Sequence, residues 1–296
     1  MAAGDRHLLL VNPSAGGGRV GSMLKEIETA LERAEVAHRV VLTTDLEHGC
    51  AQAREALDTG EIPIVVSGDG LIGQVGGVLA GSQTPLGIIP GGRGNDLARV
   101  LGIPTEPAAA VAAIAAGQTV EIDVGEVNGK RFLCIASCGF DSDANRIANE
   151  ARLVKGPLVY AYAALRALAA WKPATFTLTL DGERREHVGY SVAAANSKAY
   201  GGGMMLAPHA ELDDGLLDVV TVDDVGKLRY LRGLPKVFKG THVDDDEVHV
   251  ARAAEVTIEA DRRFAVYADG EHLTDLPATL RVLPRALRVI VPAAVG

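Results

Sequence analysis

The chain has 296 residues, 48% of them hydrophobic and 23% charged, a globular mixture that excludes a disordered chain. Its 38 acidic against 29 basic side chains give a net charge of −9, which argues against a general polyanion binder and against nucleic acid as a partner. Cys50, Cys134 and Cys138 match no zinc spacing and no disulfide framework, so a reduced, cytoplasmic setting is expected.

The first element is a buried strand over 6–12, which runs into the glycine-rich Asn12-Pro13-Ser14-Ala15-Gly16-Gly17-Gly18. A helix from about Gly21 to Glu35 follows, with Met23, Leu24, Ile27 and Leu31 on one face. Then come a strand over 38–44, a helix over Glu47–Asp58, a strand over 63–70 closing on a glycine turn, a helix over Leu71–Leu79, a strand over 85–92 and a short helix over Asn95–Leu101. This alternation predicts βαβ units and a parallel sheet. Beyond residue 118 the texture changes. TVEIDVGEV and KRFLCIASC read as β-runs joined at Asn128-Gly129, a hairpin signal. Helices are expected over 141–153 and 157–171, then mainly strands: TFTLTL, HVGYSVAAAN, LLDVVTV, VHVARAAEVTIEA, RRFAVYADG, ATLRVLP and LRVIVP, with one helix near 226–238. The apolar runs 107–117 and 156–165 fall short of the ~20 residues that span a bilayer, and the opening MAAGDRHLLLVNPSAGG has too short an apolar stretch for a signal peptide.

Open α/β sheets bind ligands at the carboxyl ends of their strands. Glycine and polar residues gather at such ends in Asn12–Gly18, in Ser67-Gly68-Asp69-Gly70 and in Pro90-Gly91-Gly92-Arg93-Gly94-Asn95-Asp96. Glycine lets the backbone approach a phosphate, and helix N-termini offer free N–H groups. No loop fits a Walker A pattern. A carboxylate beside such a backbone, as at Asp69 and Asp96, suits a divalent cation or a water network; capping of a helix by Asn95-Asp96 is the structural alternative.

Four blocks, SGDG (67–70), LGIIPGGRGNDLARVLGIP (86–104), GGGMMLAPHAELDDGLLDVV (201–220) and ADGE (268–271), resemble, in their order, the diacylglycerol kinase catalytic family and its bacterial lipid kinases, which are similar to sphingosine kinases. The resemblance covers nearly the whole chain. It implies an ATP- and Mg²⁺-dependent kinase of α/β plus β class. An N-terminal open parallel-sheet, NAD-kinase-like domain (1–118) would bind nucleotide, with the strand over 286–296 returning to it. A mostly antiparallel β-domain (119–285) would hold the lipid. By the same resemblance, nucleotide contacts fall to Asn12, Pro13, Ser14, Ala15, Gly16, Thr44, Gly68, Asp69, Gly70, Leu71, Ile72, Gly73, Gln74, Arg93 and Asn95. Asp69 and Asp96 resemble the acidic pair of the site, and Glu271 the proton acceptor. Asp214, with the carbonyls of Glu211 and Leu216, resembles a structural magnesium turn.

The chain departs from the family pattern at Leu71 and Arg93, where threonine is usual, and at Gln74, where glutamate is usual. Arginine can engage phosphate bidentately, so Arg93 is expected to take over a phosphate contact. Residues 145–172 carry Arg146, Arg152, Lys155, Arg166 and Lys172 against Glu150 alone, among many apolar residues, and read either as a membrane-facing element or as ordinary core helices. The reading that results is a peripheral enzyme on the inner face of the membrane, converting diacylglycerol to phosphatidic acid. A homodimer, another lipid acceptor, a soluble NAD-like acceptor and a non-catalytic binding protein stay open.

Overall fold

The run His7–Val11 is buried along its whole length, as a strand covered on both faces must be. In the computed structural model, which describes residues 6–140, Ser142, Leu168 and 171–293, this run is strand β1. The helices and strands that follow are α1 (Arg19–Arg33), β2 (His38–Leu42), α2 (Leu46–Thr59), β3 (Ile62–Ser67), α3 (Asp69–Leu79), β4 (Gly87–Pro90), α4 (Asp96–Val100) and α5 (Pro107–Ala116). The four strands form a parallel sheet in the order β2-β1-β3-β4. The pleat sorts β1 between two cores. Leu8 and Leu10 pack with Ala53, Val65, Leu71 and Val75 on the side of α2 and α3, whereas Leu9 and Val11 pack with Ile27, Leu31, Val111 and Ile114 on the side of α1 and α5.

Local chemistry sets the helix ends. Asp45 caps α2 by accepting from His48 N at 2.7 Å. Glu106 accepts from Ala108 N and Ala109 N, so the apolar run 107–117 becomes α5. The first helix stops at Arg33 rather than near Glu35, because Glu35 adopts a left-handed φ of 55°.

The rest of the chain builds an eleven-stranded sheet. Its elements are β5 (Thr119–Val127), β6 (Lys130–Phe132), β7 (Ile135–Gly139), β8 (Ala174–Leu180), β9 (Glu183–Ala195), β10 (Leu217–Asp223), the helix α6 (Lys227–Val237), β11 (Val248–Ala253), β12 (Glu255–Ala260), β13 (Ala265–Ala268), β14 (Glu271–Asp275) and β15 (Ala278–Ile290). The strand path is β14-β13-β7-β9-β8-β12-β15-β5-β6, with β10 joining β9 to β11, and every pairing is antiparallel. An α/β unit followed by an antiparallel β unit is therefore the architecture, as the sequence predicts. Four of the five phenylalanines (Phe132, Phe140, Phe176, Phe264) and the single tryptophan, Trp171, share the core of the second unit with Tyr190.

Several runs divide differently from the sequence reading. KRFLCIASC splits after Phe132, because the N–H groups of Leu133 and Cys134 turn to the Asp269 carboxylate at 2.7 and 3.1 Å. ATLRVLP and LRVIVP fuse into β15, which shifts register between Leu283 and Leu287. The far end of β15 meets the first sheet: Leu86 N donates to Arg288 O and Ile290 N to Leu86 O. Residues 271–275, unassigned from the sequence, form β14. The helices expected over 141–153 and 157–171, and nearly all of the basic stretch 145–172, lie outside the described residues.

Asp123 ties three segments of the second unit. It is fully buried on β5, and its two oxygens accept from Gly215 N and Arg285 N, each at 2.7 Å. Truncation removes the acceptor of two backbone donors and leaves a gap at a fully buried position, so Asp123→Ala should cost about 1–3 kcal/mol, read as a lower urea midpoint at unchanged m.

Candidate active site

The loops that follow the strands converge at the carboxyl edge of the parallel sheet. After β1, Ser14 N donates to Asn12 Oδ1, and Ala15–Gly17 form a short 3-10 turn. Thr43 N donates to Val11 O at 2.8 Å, which sets Thr44 at the same edge. Gly91 N donates to Ser67 O at 2.8 Å, coupling the loops after β3 and β4. The backbones then close to distances only glycine allows. A Cβ on Gly16, itself at φ 62°, would stand 2.4 Å from the Gly91 carbonyl oxygen, and one on Gly92 would stand 2.5 Å from Gly68 Cα. Asn12, Pro13, Ser14, Ala15, Gly16, Thr44, Gly68, Gly70, Arg93 and Asn95 thus share one rim.

Asp69 is the latch of this rim. Its Oδ2 accepts from Asn95 N and its Oδ1 from Asp96 N, both at 2.7 Å, so neither oxygen caps its own helix and α3 opens without a side-chain cap. Asn95, at a left-handed φ of 54°, exchanges two hydrogen bonds with Gly92. Burial, then the charge of Asp96, pushes the Asp69 carboxyl up, against the donors that lower it. Asp96 is also buried. Its Oδ2 accepts from Gly202 N at 2.8 Å, and its Oδ1 has no hydrogen-bond partner among the described residues.

The second unit contributes from two places. One is the Gly201–Gly203 turn that bonds Asp96. The other is the β13–β14 hairpin, whose two turn residues Asp269 and Gly270 have φ of 50° and 90°, the pattern of a type I′ turn. That turn puts the two acids of Asp269-Gly270-Glu271 to different uses. Asp269 points inward, holds Leu133 N and Cys134 N, and is pushed up to about 6, mainly by burial. Glu271 reaches the rim: its Oε1 lies 3.7 Å from where a Cβ on Gly70 would stand. It accepts no hydrogen bond among the described residues, and burial raises its carboxyl above the usual range.

Other candidates fall elsewhere. The Leu71 and Ile72 side chains are buried in the core, so only their backbone faces the rim, and Gly73 packs on Asp269. Gln74 lines an open groove of about 400 Å³ with Glu47, Arg54, Lys130 and Arg131. The Arg93 guanidinium lies over the first loop, its Nη2 3.8 Å from a Cβ placed on Gly17, and forms no ion pair among the described residues. The turn carrying Glu211, Asp214 and Leu216 sits apart. Asp214 accepts from Leu216 N and is bonded to the Arg252 guanidinium, which a cation at this carboxylate would have to displace. Sequence reasoning gave no separate role to Asp269, Gly94 or Gly202, although they lie in the ADGE, PGGRGND and GGG blocks; a Cβ on Gly94 would stand 2.8 Å from Asp69 Oδ2.

One observation suits a divalent cation, the buried Oδ1 of Asp96, unpartnered among the described residues, beside the Asp69 carboxylate; no cluster of three or more His, Cys, Asp or Glu side chains that could hold a metal gathers among the described residues. Residues 6–127 match the diacylglycerol kinase catalytic domain, and residues 134–291 the YegS C-terminal NAD kinase beta sandwich-like domain. A diacylglycerol kinase of Mycobacterium tuberculosis (strain H37Rv) is 38% identical over 96% of this chain and 94% of its own. One from Bacillus subtilis (strain 168) is 28% identical over 97% and 96%. The crystal structure of a diacylglycerol kinase from Bacillus anthracis str. Sterne shares the fold, with a TM-score of 0.77 at 23% identity over all of both chains.

If Asp96 raises Asp69 through its charge, Asp96→Asn should bring the Asp69 titration down toward the ordinary aspartate range in a carboxyl-carbon NMR titration. An unmoved titration would show that burial alone sets it.

Proposed function

The chain belongs to the diacylglycerol/lipid kinase family and is an enzyme of it, and from that premise we propose that it transfers the γ-phosphoryl group of ATP to the hydroxyl of diacylglycerol. The observation that carries this reading is the placement of the Glu271 carboxylate, from the β unit, against Gly70 at the uncapped start of α3. Phosphoryl transfer needs positioning and charge neutralisation more than covalent chemistry. The N–H groups opening α3 and the glycine loops supply donors for the phosphates. Arg93, above the first loop, supplies a bidentate cation where the family uses threonine. Asp96, with Asp69 beside it, would hold the magnesium, whose charge offsets that of the phosphates.

Glu271 accepts the proton of the lipid hydroxyl as its oxygen bonds to the γ-phosphorus; the bond from that phosphorus to the bridging oxygen breaks, and ADP leaves. Its raised pKa suits a base. Among the described residues no helix is long and apolar enough to cross a membrane, and the acceptor is taken to be presented at a bilayer surface.

The test is transfer of label from γ-labelled ATP to a panel of micellar lipid alcohols and to NAD. Label is expected on diacylglycerol and lost in Glu271→Gln; label on no lipid would favour a binding protein, and label on NAD a soluble acceptor. Because the base must be ionised, kcat/KM should fall as pH drops through the pKa of Glu271, so the acid limb should lie above the ordinary glutamate value. Arg93→Ala removes a charge-assisted contact worth about 1.5–3 kcal/mol, so the KM for ATP should rise about tenfold or more, and unchanged kinetics would remove Arg93 from the site.

A further inference from the structure

The Asp269 side chain has no part in the transfer step derived above, yet it joins three segments distant in sequence. Its carboxylate accepts from Leu133 N at 2.7 Å and from Cys134 N at 3.1 Å, at the break between β6 and β7. On its other side lies α3: a Cβ on Gly73 would stand 3.1 Å from Asp269 Oδ2. Its own backbone opens the type I′ turn two residues before Glu271.

The hairpin that carries Glu271 lies at the edge of the second sheet, and its pairing to β7 is confined to Tyr267 with Ser137 and Ala268 with Ala136. Lys130 Nζ to Leu273 O and Asn128 Nδ2 to Thr274 Oγ1 secure its far arm, beyond Glu271. At the turn itself, among the described residues, it is the Asp269 carboxylate that hydrogen-bonds to the rest of the molecule. We propose that Asp269 is the positioning residue of the reaction, clamping the turn to the Leu133–Cys134 backbone so that the Glu271 carboxylate stands at Gly70. The inference rests on the reading of Glu271 as the base and adds what sets its place.

Asp269→Asn is the discriminating variant. Asparagine suits the left-handed backbone at this position, so the turn persists. Its oxygen still accepts but its NH2 nitrogen cannot, and the two N–H groups use different oxygens of Asp269, so one of the two bonds is lost. Amide hydrogen exchange over 131–135 and 265–275 should rise at least about tenfold in this variant, with the parallel sheet unchanged. Turnover should fall by a factor on the order of 100 while the KM for ATP moves by less than about twofold, as for a displaced catalytic group. In a Glu271→Gln background the same substitution should cost less than about twofold, because the two residues act as one unit. Unchanged exchange at both segments, or an equal loss with and without Glu271, would overturn the proposal. If Glu271→Gln alone keeps full turnover, it is the base assignment that fails, and the exchange measurement still decides whether Asp269 clamps the turn. Should Asp269→Asn not fold, Gly73→Ala keeps the carboxylate and crowds it from α3; it should raise exchange over 265–275, and unchanged exchange there counts against the clamp.

Discussion

The close packing of α3 on the second sheet is the contact on which the site depends. The glycine loops belong to the parallel sheet and Glu271 belongs to the antiparallel one, so the two meet only if the units lie nearly backbone to backbone. The sequence of α3 permits this. Gly73, Gly76 and Gly77 face the β unit, and a Cβ on Gly76 would stand 2.6 Å from Leu133 Cδ1. Each glycine inside a helix costs about 1 kcal/mol against alanine. Burial of Leu133, at about 1.5–3 kcal/mol for a large apolar side chain, offsets part of this. The Arg131 guanidinium offsets more, donating to Gly77 O and Ala80 O at the C-terminal end of α3, where a cation also suits the helix dipole. The same helix therefore opens its N-terminus to the site and has its C-terminus held by the other unit.

That arrangement explains which parts of the molecule were legible in the sequence. The strand and helix alternation over the first 118 residues is a local signal, because each element there covers one face of the sheet with its own apolar stripe. The glycine loops were legible for the same reason: a strand end, a turn and a helix start are adjacent in sequence. What the sequence did not show is set by partners far away. The break in KRFLCIASC depends on Asp269, 136 residues from Leu133. Strand β14 consists of five residues, Glu271–Asp275, with an ordinary polar composition, and it exists because β13 pairs with it. The burial of Leu71 and Ile72 follows from the helical turn that begins at Asp69, two residues earlier than periodicity suggests, which directs their side chains into the core.

The site gathers acids in a chain that is already negative. The hydrogen bonds show how those acids differ. Both oxygens of Asp69 are taken by backbone donors of the PGGRGND loop, and both oxygens of Asp269 by backbone donors between β6 and β7. These two carboxylates hold backbone in place. Asp96 keeps one buried oxygen without a partner, and Glu271 accepts no hydrogen bond among the described residues. Of these four acids, the oxygens that accept nothing among the described residues are thus one on Asp96, beside the glycine loops, and the pair on Glu271, at the start of α3. The family resemblance pairs Asp69 with Asp96, and the two lie side by side: Asp69 Oδ1 accepts from Asp96 N, and the charge of Asp96 raises the Asp69 carboxyl. Each carboxylate oxygen has two lone pairs, so an oxygen that accepts one backbone N–H keeps a second site; what the two short bonds fix at Asp69 is the orientation of the carboxylate and, with it, the PGGRGND loop. Asp69 is thereby engaged in shaping its loop, whereas Asp96 Oδ1 and the Glu271 carboxylate accept nothing among the described residues and are the groups whose surroundings a ligand would change most.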